Sequence, residues 1–183
     1  MWDRAKKLSN INRSIAGPGI RQVLNLIKSE IHDLTVHSVS SGTNCFDWQV
    51  PKEWSFERAT IKKLSGEVVI DTNINPLHVV MHSIPKSGVI SFNDLKSRLH
   101  TNYDLPDAIP YVTSYYKEDW GFCLSENQLK ALDESEYLVE IDSELKDGAL
   151  NYGEFFIKGK TRKEIIISTY ICHPHMGNNE SSG

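Results

Sequence analysis

The sequence predicts a mixed α/β chain interrupted by an inserted β-rich module. Three observations predict it. Residues 12–31 carry a helical apolar pattern, residues 46–110 break into short strand patterns between Gly, Pro and Asn, and the second half returns to alternating strands and short helices.

The helix starts near Pro18, a residue tolerated in a first turn. Ile20, Val23, Leu24, Ile27 and Ile31 fall on one face, with Arg21, Asn25, Lys28 and Glu30 largely outside it, so that face is core. The following stretch LTVHSVSSGT places Leu34 and Val36 in alternation and ends in a Ser-Ser-Gly turn, which reads as a strand. In the module, strands are expected at 58–63, 67–71 and 77–83, with turns at Ser65-Gly66 and 73–76. Ser91 with Asp94 three residues on marks a helix N-terminus. Leu105 to Pro110, with two prolines, returns the chain to the main body. Beyond it, YVTSYY (111–116) reads as strand, ENQLKAL (126–132) as helix, and 137–145, 149–159 and 164–171 as strands. Turns at Asp147-Gly148 and 158–162 suggest that these last strands are antiparallel neighbours near a sheet edge. The run Ile165, Ile166, Ile167 and Thr169 has the composition of a strand buried on both faces.

With 183 residues, 39% of them hydrophobic, the chain can build one core and a small second one. A net charge of −4 and no basic cluster longer than Arg4, Lys6 and Lys7 leave no electrostatic footprint for nucleic acid. No apolar run approaches the ~20 residues of a membrane span, and MWDRAKKLSN lacks the apolar centre of a signal peptide. Cys45, Cys123 and Cys172 are odd in number and widely spaced, which fits reduced thiols and a cytoplasmic protein. Cys172 adjoins His173, but neighbours on an extended strand point to opposite faces, so they do not make a nucleophile pair.

The histidines decide the chemistry. His78 and His82 on a strand would share a face yet lie ~13 Å apart, too far to hold one ion. His173 and His175 stand instead at the exit of the most apolar strand, with Asn178, Asn179 and Glu180 close behind. In open α/β sheets ligands gather at strand carboxyl ends, and a hydrolytic metal centre needs imidazole and carboxylate ligands with one position open to water.

Six blocks carry a resemblance that covers nearly the whole chain: RSIAGPGIRQVL, VSSGTNCFDWQVPKEW, NPLHVVMHS, DAIPYVTSYYKEDWGFCLS, IDSELKDGALNYGE and STYICHPHMGNNESSG. Through them the sequence resembles a bacterial aminopeptidase-like family, once catalogued as a domain of unknown function and related to the di-zinc aminopeptidases. The resemblance implies a partial mixed-sheet zinc-aminopeptidase-like fold, with residues 1–49 and 146–183 in the α/β domain and residues 50–145 as the inserted β-rich domain. It implies zinc as cofactor, a peptide as substrate, and hydrolysis from a free N-terminus by metal-activated water. His173 corresponds to the first ligand, the His of an H-x-D motif. The bridging Asp of the wider superfamily falls on Asn179, and Glu180 is the carboxylate at hand, so Glu180 is expected to bridge, with Asn179 the alternative. His175 stands where the superfamily has the Asp that orients the first ligand, and is expected to support His173, to bind metal adventitiously, or to do neither. The family's remaining ligands and its catalytic Glu lie beyond this stretch, so the chain is expected to be the N-terminal part of such a hydrolase and inactive alone, its strand 164–171 short of sheet partners. Its oligomeric state is left open. The competing expectation is a non-catalytic module that binds a peptide or a carbohydrate through Trp48, Trp54, Tyr115, Tyr116 and Trp120.

Overall fold

The computed structural model describes residues 2–9 and 11–173. They form a mixed α/β structure of several small sheets, divided into two compact units. One unit holds residues 1–53 and 146–183, the other residues 54–145.

The chain opens with α1 (Trp2–Ser9), which the apolar pattern did not announce, and then α2 (Pro18–Glu30). Pro18 opens α2 and Ile20, Val23 and Leu24 are buried, as the periodicity requires, but Ile31 caps the helix and is 37% exposed. Ahead of α2 the chain doubles back so tightly that a Cβ on Gly19 would lie 1.8 Å from the Asn12 carbonyl oxygen, so only glycine fits there. β1 (Thr35–Ser40) follows, then a short hairpin of β2 (Asn44–Cys45) and β3 (Trp48–Gln49).

In the second unit β4 (Glu53–Lys63) and β5 (Val68–Asp71) form a bulged antiparallel hairpin. They are followed by β6 (Lys86–Ser91), α3 (Phe92–Lys96) and β7 (Leu99–His100), then by β8 (Phe122–Cys123), α4 (Glu126–Lys130) and β9 (Glu136–Lys146). The main sheet runs in the order β5-β4-β9-β6, and β7 pairs with β8 in parallel. One sheet face and α3 enclose a core that includes Trp54, Ile61, Ile70, Met81, Leu95, Phe122, Tyr137 and Val139. Ser91 caps α3 through the Asp94 amide, and Ser125 with Gln128 builds a reciprocal capping box on α4.

β10 (Ala149–Glu154) returns to the first unit and pairs antiparallel with β1, from Thr35↔Glu154 to Ser40↔Ala149. The turn at Asp147-Gly148 therefore joins strands of different sheets, and the expected pairing of its flanking strands does not occur. The reason is local: Gly148 donates its amide to Ser41 Oγ and returns its carbonyl to the Ser41 amide, which ties the corner to β1.

Three further expected strands are absent. Residues 77–83 begin as a 3₁₀ turn over Pro76–His78 and continue as an irregular segment held by the single bridges Val79↔Phe122 and Met81↔Thr113. His82 has φ 66, which breaks a strand repeat. Residues 111–116 are the irregular partner of this segment, meeting it through Met81 N to Val112 O and Ser114 N to Met81 O. Residues 164–171 form no regular element and join no sheet among the described residues; Ile165, Ile166 and Ile167 are 87 to 93% exposed. An apolar β-branched run becomes a buried strand only when a ladder takes up its amides and carbonyls and a layer covers its face.

Candidate functional site

His173 closes the described part of the chain and is 8% exposed although the run before it lies in solvent. The Tyr170 ring stands edge-on to the imidazole, with ring centroids 5.3 Å apart. Cys172 beside it is half-buried; burial raises its thiol pKa, against a smaller opposing effect of the Arg13 charge. A thiol held protonated is a poor nucleophile. Arg13 and Ser14 are themselves 4% exposed in the turn before α2.

A different polar cluster braces this unit. The Arg21 guanidinium donates from Nη2 to Glu53 Oε2 at 2.9 Å, and the Ala149 amide donates to Glu53 Oε1 at 2.9 Å. Arg21 also reaches Asn151 Oδ1 at 3.3 Å, and Asn151 Nδ2 donates to Ser38 Oγ at 2.6 Å. The Arg21 hydrogen bonds hold the Glu53 carboxyl below the usual carboxylate range. A Cβ on Gly148 would come within 2.4 Å of the Glu53 side chain, so the corner must be glycine for the carboxylate to sit there. This cluster ties α2, β1, the start of β4 and β10 together. Sequence reasoning missed it, because its members are up to 130 positions apart and no local spacing announces such a pair.

Of the expected metal ligands, the structure places His173; Glu180, Asn179 and His175 lie outside the described residues. A catalytic zinc takes three protein ligands plus water. Among the described residues no three His, Cys, Asp or Glu side chains come together to hold a metal, so these residues offer it one imidazole and no reaction step through a metal follows from them.

His78 and His82, expected on a strand, both lie in the interior of the other unit. His78 donates from Nδ1 to the Cys123 carbonyl at 2.7 Å, and burial lowers its pKa. His82 lies between Trp54, with centroids 5.7 Å apart, and Tyr115, with centroids 4.6 Å apart; burial pushes its pKa down to about 4. Both are core imidazoles kept neutral. Of the five aromatic residues considered for ligand stacking, Trp54 is buried with its indole N–H on the Ser83 carbonyl, and Trp48, Tyr115 and Trp120 are half-buried. Trp120 has the cations of Lys86 and Arg98 over its ring, and Tyr116 is 84% exposed.

Comparison with known proteins adds three findings. The model of a family described as a domain of unknown function, DUF2172, matches residues 53–144. A Clostridium acetobutylicum protein named "Putative polysaccharide biosynthesis protein with aminopeptidase-like domain" is 45% identical over all 183 residues, which are 42% of its own length. A crystal structure of a "putative peptidase" from the same organism superposes with a TM-score of 0.90 at 45% identity, over 97% of this chain and 42% of that one. The chain thus spans less than half the length of the relatives it matches. No described helix is long and apolar enough to cross a membrane.

Proposed function

Because the chain belongs to the family described as domain of unknown function DUF2172, we propose that it forms part of a cytoplasmic, zinc-dependent aminopeptidase-like hydrolase whose substrate is a peptide with a free N-terminus. The observation that carries this reading is the likeness over 97% of the chain, at 45% identity and a TM-score of 0.90, to a structure described as a "putative peptidase". At that identity the relative's chemistry is a reasonable guide, whereas the fold alone would not be.

In this reading His173 is one metal ligand and Glu180 the bridging carboxylate, with Asn179 the alternative bridge and His175 beside them. The position of His173 supports it: a buried imidazole stands directly after the apolar run, where the resemblance places the first ligand. The remaining ligands and the base come from sequence beyond this stretch, so this stretch alone is inactive. Residues 50–145 are the inserted domain and residues 1–49 with 146–183 the hydrolase portion. The free thiols support a reducing compartment. The binding-module reading draws less support, because four of its five aromatic residues are wholly or partly buried.

The test is metal analysis of the full-length protein. Zinc bound in stoichiometric amount should be lost in His173→Ala and weakened in Glu180→Gln, with circular dichroism unchanged, and hydrolysis of aminoacyl substrates should stop with a chelator. Zinc retained at wild-type level in His173→Ala, or hydrolysis that survives the chelator, would overturn it.

A further inference from the structure

The two-residue turn between β2 and β3 carries Phe46 and Asp47. Phe46 has φ 56, a conformation that the first loop position of such a turn normally reserves for glycine, and its side chain is 102% exposed. The phenyl thus gains no packing within the chain to offset the strain of its backbone. The arm beneath it is fixed. Gly42 N donates to Val50 O at 2.8 Å, Val50 N to Thr43 O at 2.9 Å, and Ser41 Oγ to Pro51 O at 2.8 Å. Gln49 Nε2 reaches Asn44 Oδ1 across the strands at 3.3 Å. An aromatic group held out in water on a rigid support is preorganised for a contact.

The same unit carries a hollow that suits it. α1 and α2 border an open hollow of about 240 Å³, its apolar side formed by Leu8, Leu26, Ile27 and Ile31 and the rest by Arg4, Lys7, Ser29 and Glu30. An apolar cavity of roughly 150 Å³ admits benzene, so the volume is ample for a phenyl ring. At the rim Arg4 Nη2 is occupied by Glu30 Oε2 at 2.6 Å, while Lys7 is exposed and pairs with no carboxylate among the described residues. Knob and hollow therefore match in size and apolar character, and the aspartate beside the knob matches the lysine beside the hollow.

We propose that the 44–49 arm of one copy of this chain inserts Phe46 into the α1–α2 hollow of a second copy, with Asp47 meeting Lys7. Related by a two-fold axis, the exchange occurs twice and closes a dimer. The contact is separate from His173 and does not depend on the chemistry proposed for it.

Sedimentation velocity of the full-length protein over a concentration series tests this. The wild type should associate reversibly and saturate at a dimer. Phe46→Gly should weaken the dimer about thirtyfold, the loss of a central aromatic anchor, while its melting temperature holds or rises, since glycine adopts that φ freely. Asp47→Lys and Lys7→Asp should each weaken it about threefold, as a rim ion pair would, and the double exchange should recover the wild-type value. A monomer at all concentrations overturns the proposal, as does a dimer that Phe46→Gly leaves unchanged or a double exchange without recovery. Association that never saturates, persists in Phe46→Gly and disappears in Ile166→Lys assigns the contact to the exposed 164–171 run and equally overturns it.

Discussion

Ile61 and Ile166 are the same residue in stretches that both read as strand, the second the more apolar, yet Ile61 is fully buried and Ile166 is 87% exposed. Ile61 lies in β4, flanked by β5 and β9, with α3, Phe122 and Tyr137 in the core it joins. Ile166 lies in an irregular segment with no ladder among the described residues. The side chain's preference is identical in both places; what differs is whether hydrogen-bonding neighbours exist to make burial possible without stranding backbone amides and carbonyls.

The sharpest way to break this comparison is truncation at both positions. Ile61→Ala should cost about 4 kcal/mol in urea unfolding of the chain, and Ile166→Ala less than about 0.5 kcal/mol. Equal losses would mean that the 164–171 run is buried in solution.

Acidification should separate the closed interior from the open run next. The folded pKa of His82 is about 4 against an ordinary 6.5, so the unfolded chain binds its proton first as pH falls. The neutral, buried form is fully compatible with folding above 6.5, and stability is lost as pH drops from 6.5 toward 4, by about 3 kcal/mol in all. His82→Asn, which tolerates the positive φ, should remove that part of the pH dependence when urea midpoints are compared between neutral pH and pH 4.5. A mutant curve parallel to the wild type would show that His82 is hydrated.

The Glu53 cluster asks whether the first unit is braced by its own polar contacts. Glu53→Gln leaves the half-exposed Arg21 without its counter-charge and should cost about 2 kcal/mol; an unchanged urea midpoint would assign the bracing to apolar packing alone. The smallest effect belongs to the α4 cap: Ser125→Ala should lose about 1 kcal/mol, read in the same titration.

Local chemistry made a good part of the fold legible. Pro18 with the Ile20, Val23 and Leu24 spacing located α2, Ser91 with Asp94 located α3, and the ENQLKAL stretch located α4, whose Ser125 cap only the structure shows. Alternation located β1, and the YLVEIDSEL stretch reads as the strand that β9 forms. The 77–83 stretch misled because Val79, Val80 and Met81 are apolar for burial in an irregular segment, which composition does not distinguish from a strand. The β2–β3 arm and α1 went unread because both are exposed, and exposed elements carry no burial period.

For the site, the sequence by itself determined which residue types stand together: an imidazole at position 173 at the end of an apolar run, with amides and a carboxylate shortly after it. That much is fixed by covalent order. Only the tertiary structure decided that His173 is buried while Ile165, Ile166 and Ile167 before it are not, that β10 leaves its sequence neighbour β9 to pair with β1, and that Glu53 meets Arg21 and Ala149 across the unit. These depend on which distant groups the folded backbone brings within hydrogen-bonding reach, and no spacing along the chain encodes that.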